Sequence, residues 1–273
     1  MFGLPWHIVL PSLLGSLLAG LVCGAIGTFV VRMKLSSLGF AMSHAAFAGA
    51  ALGMMLSLEP LWTAIAFSLL IALVLGPLAD ISRMNTDAVL GALFPVTMAL
   101  GFVFLTRAPG GGIGSGALSL LWGSVLGMTM HQVGLLAIVA ALVGIVSLGF
   151  GRGFLALLLD RRLAIASGLN ARAYYYGVLV LVAIVVSVSL RITGGLLIYA
   201  LMVLPATSAF QWAYDIKKIF AIAPLLGALS AFFGFLFSLW ADLPIGSAIA
   251  IVAAGIFLVS TGLSPKRRRE RSG

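Results

Sequence analysis

Charge is what this sequence has least of. Only 8% of its 273 residues are Asp, Glu, Lys or Arg, where a water-soluble domain carries about a quarter. With 62% hydrophobic residues, no soluble fold keeps its exterior solvated, so the bilayer must be the solvent. Lipid offers no partner for backbone N–H and C=O groups, which restricts spanning structures to helices and closed barrels. The apolar runs are long and continuous, not short alternating segments, and that selects helices. Cysteine is almost absent: Cys23 alone excludes an internal disulfide and any cysteine-based metal cluster. Acids are scarce and badly placed for ion coupling. Glu59, Asp80, Asp87, Asp160, Asp215, Asp242 and Glu270 all fall at span ends or in loops, whereas ion-coupled carriers keep carboxylates near the midplane. The sequence also lacks a G-x-x-x-x-G-K-[ST] loop, so it does not bind nucleotide by that route. It shows no Ser–His or paired-Asp arrangement within a span, which argues against an intramembrane enzyme.

What is present is an all-α, polytopic pattern of about nine transmembrane helices, each near the length that crosses roughly 30 Å of hydrocarbon. They are expected near 11–31, 38–58, 60–79, 87–106, 132–150, 174–190, 193–213, 219–239 and 243–262. The first run is too long for a signal peptide and has no basic segment before it. Ala117 to Met130 is apolar but short, which fits a re-entrant or interfacial piece. With the N-terminus outside, all of the 16 Lys and Arg except Arg107 and Arg191 fall on the inner side, predicting an N-out, C-in orientation. Trp6, Trp62, Trp122 and Trp240 then sit near the outer interface. The net charge of +9 is split among short inter-span segments instead of forming one stripe, so it reads as topology and lipid contact, not nucleic-acid binding. Residues 1–273 form a single transmembrane domain, with an inner loop at 151–173 and a basic cytoplasmic tail at 264–273. The glycine-rich stretch Gly110 to Gly116 reads as a flexible outer loop.

Two segments stand out. The second span holds His44, the one histidine inside a membrane run. An ionisable group there faces the bundle interior or a water-filled path; the alternative is a neutral imidazole bonded to a neighbouring carbonyl. On the same helix Ala45, Gly49 and Gly53 recur every four residues, a pattern that lets helices approach closely. Ser43 and Met42 flank the histidine. The inner loop is the other segment. Asp160 to Gly168 suits a short helix with an acid at its start and glycine at its end. Leu163, Ala164 and Ala166 suit docking into a groove on another protein, and a solvated amphipathic connector is the alternative. Thr97, Ser187, Ser189, Thr207, Ser208 and Ser238 are other polar groups within spans, where hydroxyls mostly bond their own helix or a neighbour. Pro205 interrupts the hydrogen-bond ladder of the seventh span.

The pieces Ser43-His44-Ala45-Ala46, Asp87 to Gly91, Asp160 to Gly168, Gly195 to Ala206 and Asp242 to Gly246, in this order, resemble the permease family of ABC-type zinc, manganese and iron importers. The resemblance extends from Arg32 to the basic tail. It implies a non-enzymatic transport subunit for a divalent metal ion in a bacterial or archaeal plasma membrane, working as a homodimer. The implied partners are a separate ABC ATP-binding subunit, which holds the ATP and magnesium, and an extracytoplasmic solute-binding protein; no cofactor is expected in this chain. It also implies that Asp160, Arg161, Leu163, Ala164, Ala166 and Gly168 belong to the helix that couples to the ATPase, and that His44 with Ser43, Met42 and position 40 line the translocation path. The sequence departs from the family at that last position. The family carries Asp four residues before the histidine, one turn away on the same face; here it is Phe40. Phenylalanine cannot ligate a metal, so His44 is left as the one candidate metal ligand. Transport of a metal chelate or other small solute, or an ion-coupled carrier, are the alternatives.

Overall fold

The computed structural model describes residues 5–109, 125–149, 151–159 and 168–264. Within these, the chain is helical throughout. Ten helices follow one another: α1 (Trp6–Arg32), α2 (Leu38–Met55), α3 (Pro60–Ser82), α4 (Thr86–Thr106), α5 (Met130–Gly149), the short α6 (Gly151–Leu159), α7 (Ala171–Thr193), α8 (Gly195–Trp212), α9 (Ile216–Ala241) and α10 (Ile245–Gly262), with a single 3-10 turn at Val125–Gly127 before α5. All but α6 are long and apolar enough to cross a membrane, giving nine candidate spans among the described residues.

The order of the spans matches the expectation from sequence, but the first begins earlier. Pro11 lies inside α1, not at its start, and Pro77, Pro95, Pro205 and Pro224 likewise sit within helices. Neighbouring helices in a bundle tolerate such breaks by re-satisfying the freed carbonyls. Asn85 and Asn170 cap α4 and α7, each accepting a hydrogen bond from an N–H three residues on.

Helix α1 is the axis of the bundle. It packs on α9, α8 and α5, while α2 packs on α4, α3, α7 and α8. The α1–α9 crossing is made backbone to backbone. A Cβ on Gly20 would run into the Gly227 carbonyl, one on Gly227 into the Gly20 carbonyl, and one on Gly24 would stand 2.5 Å from the Ala223 oxygen. Gly27 faces the Met202 carbonyl of α8 in the same way. In lipid there is no hydrophobic force between helices, so close van der Waals contact of this kind is what holds them. The bundle's exterior is as oily as its interior: Leu148, Ile81, Trp6 and Trp240 are each at least 80% exposed, as befits side chains solvated by acyl chains.

Polar ties are few and gather at the end of the bundle that holds the α1–α2 and α3–α4 turns. The Asp87 carboxylate accepts from the Ser37 backbone N–H at 3.2 Å, Arg32 Nε donates to the Leu158 carbonyl at 2.9 Å, and Tyr175 donates to Thr86 at 3.5 Å. Deeper in, Ser187 of α7 donates to the Ser68 hydroxyl of α3 at 3.0 Å. An apolar cavity of about 560 Å³ lies elsewhere, between α1, α5, α6 and α9, against Phe29, Phe154 and Phe220.

Candidate translocation site

The site is built where α2, α4 and α8 meet. Helix α2 presents two different faces. On one, Gly49 and Gly53 dock against α3: a Cβ on Gly49 would stand 2.5 Å from the Thr63 oxygen, and one on Gly53 would strike the Thr63 hydroxyl. Ala45, between these glycines and the histidine in the four-residue pattern, is fully buried. The small-residue stripe is therefore a packing seam. On the other face, Phe40 and His44 stand one helical turn apart and point at α4 and α8.

His44 is buried, and its neighbours are rings. Phe40 meets the imidazole edge-on at 4.6 Å between centroids, Phe94 of α4 lies 4.6 Å from it on another side, and Phe40 and Phe94 are 4.7 Å apart. The three rings make a nearly equilateral triangle. Tyr199 of α8 adds a fourth ring, 5.5 Å from Phe40. Such tilted and edge-to-face pairs each contribute about 0.5–1.5 kcal/mol beyond area burial.

Tyr199 reaches this place because of a tight reversal. Gly194 closes α7 and opens α8 as a single residue, with φ +78° and ψ 154°, a conformation L side chains rarely adopt. The chain turns back at once, and Gly195 packs on Ser43, whose Oγ would lie 3.1 Å from an added Cβ. One turn further along α8 is Tyr199, and Met202 beyond it brings its sulfur 2.9 Å from where a Cβ on Gly39 would stand. Met42 is fully buried in the core, and Ser43 donates its hydroxyl proton to the Phe40 carbonyl at 2.7 Å. Of the residues singled out from sequence, Phe40, Ser43 and His44 are brought together; Met42 belongs to the core. Phe94 and Tyr199 were missed. Tyr199 lies inside the Gly195–Ala206 segment that carried the resemblance, and Phe94 lies three residues beyond the end of the Asp87–Gly91 segment, but neither had a chemical signal of its own.

Three of the other span hydroxyls are turned back on their own helices, whereas Ser187 reaches across to α3. Thr97 donates to the Leu93 and Phe94 carbonyls, Thr207 to those of Val203 and Leu204, and Ser208 to Leu204. Among the described residues no three His, Cys, Asp or Glu side chains are grouped to hold a metal ion.

The second expected region is only partly visible. Asp160, Arg161, Leu163, Ala164 and Ala166 lie outside the described residues, as do Trp122, the stretch 110–116 and the tail from 265. Gly168 takes φ +77°, a left-handed conformation that glycine adopts readily. Both flanks of the segment are tied down. On the α6 side, the buried Phe154 packs edge-on against Phe29 of α1 at 5.0 Å and against Tyr174 of α7 at 5.1 Å, and Phe29 in turn meets Phe220 of α9 at 4.6 Å. Arg32 holds the Leu158 carbonyl. On the other flank, Asn170 caps α7.

Nine candidate spans, a helical bundle with no strand among the described residues, and an imidazole at a three-helix junction define a polytopic helical membrane protein. The chain belongs to the ABC 3 transport family, whose profile matches residues 6–264. It is 30% identical over 256 residues to the manganese transport system membrane protein MntC of Listeria innocua, covering 94% of this chain and 90% of that one. It is 28% identical over 263 residues to the manganese import system permease protein ScaB of Streptococcus gordonii, covering 96% and 94%. Among solved structures it superposes on PsaBC from Streptococcus pneumoniae, determined in complex with Fab, with a TM-score of 0.86 and 27% identity over 96% of this chain and 94% of that one. A candidate metal-chelate type ABC transporter in an inward-facing conformation shares the fold, with a TM-score of 0.77 at 16% identity, over 92% of this chain and 85% of that one. The chain is thus a transport subunit of metal-importer type, and ATP hydrolysis belongs to a separate subunit.

Proposed function

We infer that this chain is the membrane permease of an ATP-driven importer in a bacterial or archaeal plasma membrane, and that it carries a metal such as manganese, zinc or iron in a pair with a second copy of itself. In this reading the N-terminus is outside and the C-terminus inside. An extracytoplasmic binding protein delivers the substrate, and the His44 junction lies on the path. The segment Asp160 to Gly168 is the handle for the ATP-binding subunit, which holds ATP and magnesium.

The observation that carries the reading is the way this segment is mounted. Its preceding helix is pinned to α1 by Arg32 and by the Phe29–Phe154 contact. The helix that follows, α7, runs to the Gly194 reversal, from which α8 returns to the His44 junction. A push on the segment is therefore delivered to α1 and α7, the helices against which α8 and α2 pack. Displacement of rigid elements about such contacts is a known mode of gating.

The test is co-purification. In mild detergent the permease should retain an ATP-binding subunit encoded beside it, and changing Leu163, Ala164 and Ala166 together to Asp should release that subunit while the permease stays monodisperse. Retention of the subunit by the triple variant removes the segment from the interface. Uptake that survives ATP depletion but collapses with the proton gradient removes the importer reading altogether.

A further inference from the structure

We propose that the substrate seated against His44 is a metal ion already wrapped in an organic chelator, not a bare cation. The proposal rests on the importer reading and narrows the substrate class of the same site. A bare divalent ion gives up water only for replacement ligands: zinc takes three or four N, O or S donors, and manganese an oxygen-rich shell. The junction supplies one imidazole per chain. No acid reaches it. Glu59 and Asp215 stand at the starts of α3 and α9, Asp242 at the end of α9, Asp80 in the last turn of α3, and Asp87 in the first turn of α4 with the Ser37 N–H on its carboxylate. Asp160 and Glu270 fall in the inter-span loop and the tail of the sequence. The adjacent hydroxyl, Ser43, donates its proton to the Phe40 carbonyl and has only a neutral oxygen to offer, not the anionic one a carboxylate supplies. Even with a second copy facing it across an interface, the junction offers two imidazoles and no carboxylate.

The groups that are present suit a different cargo. An ion held by a chelator has its shell filled and needs at most one protein donor, which a neutral imidazole provides. Its outer surface is an organic framework, and Phe40, Phe94 and Tyr199 offer aromatic faces and edges to such a surface around that imidazole. Small-molecule sites are commonly built this way, with apolar and aromatic walls and one or two placed polar groups. Phe40 is the deciding residue: its ring occupies the place, one turn from His44, where a carboxylate would complete a bare-ion pair.

Two measurements test this. First, the complete importer, with its ATP-binding subunit and binding protein, is placed in proteoliposomes and given radioactive zinc or manganese, either chelator-free or as complexes with carbon-labelled histidine or citrate. Metal and labelled chelator should accumulate together with ATP, and the chelator-free ions at least about tenfold more slowly. Metal that enters while the chelator stays outside overturns the proposal. Second, the permease in nanodiscs is titrated with chelator-free zinc and manganese. The wild type should show no saturable site, Phe40→Asp should gain one, and Phe40→Asp combined with His44→Ala should lose it, each variant first shown to be monodisperse. A saturable site in the wild type that disappears in His44→Ala overturns the proposal without reference to any particular chelator. Failure of the importer reading looks different: accumulation that ignores ATP and follows the proton gradient, whatever the form of the metal.

Discussion

The two faces of α2 differ in what they do with the same helix. Toward α3 it shows Gly49 and Gly53, and the backbones close to distances that leave no room for a Cβ. Toward α4 and α8 it shows Phe40 and His44, and contact is made by rings at 4.6–5.5 Å between centroids. The first face has one solution, because backbone cannot be repacked. The second is built from side chains that turn, and it is the one that holds the buried imidazole. Close packing of backbone fixes one face; ring contacts make the other, the one proposed as the substrate's site.

That contrast can be broken most severely on the seam. Gly49→Leu should leave little folded permease in the membrane, read as loss of the monodisperse peak in size-exclusion chromatography, because overpacking against backbone costs at least about 1–3 kcal/mol even where relief is available. Gly227→Leu should do the same at the α1–α9 crossing. On the aromatic face the expectation reverses. His44→Ala, despite losing its ring contacts with Phe40 and Phe94, should leave enough folded permease to assay and lower ATP-driven uptake per folded permease by about tenfold or more, as loss of a site's single polar group does; unchanged uptake would make His44 a packing residue. Phe94→Leu should fall between, with a stability loss of about 1–3 kcal/mol as its two ring contacts, with Phe40 and His44, are removed and a change in substrate preference exceeding any change in yield. The smallest effect is expected at Ser187→Ala, which breaks the hydroxyl contact between α7 and α3. Such bonds between membrane helices average about 0.6 kcal/mol, visible as a small drop in thermal midpoint with uptake preserved.

A good part of this was legible in the sequence. The spans, their number and the candidate status of His44 follow from hydropathy and from the rarity of ionisable groups in oily runs, both of which are local properties. Gly49 and Gly53 were readable as a packing seam because four-residue spacing repeats on one helix. The first helix starts at Trp6, ahead of the span expected near 11–31, and Pro11 lies within it, since a bundle tolerates proline that hydropathy alone does not place. Phe94 and Tyr199 could not be found, because a phenylalanine or tyrosine among so many apolar residues carries no mark of which side of its helix faces the junction. Nor could the role of Gly194 be read: one glycine among 33 shows its positive φ only once the two helices around it are placed.

By itself, then, the sequence determined the solvent, the helical class and the absence of a nucleotide loop and of membrane-embedded carboxylates, since these depend on composition and on residue type alone. Only the tertiary structure decided which face of α2 packs backbone against α3 and which meets α4 and α8 through rings, and that Phe40 and Phe94 flank His44. The reason is physical: each contact at that junction joins residues from separate helices, and whether they meet depends on crossings set by distant glycines on α1 and α9.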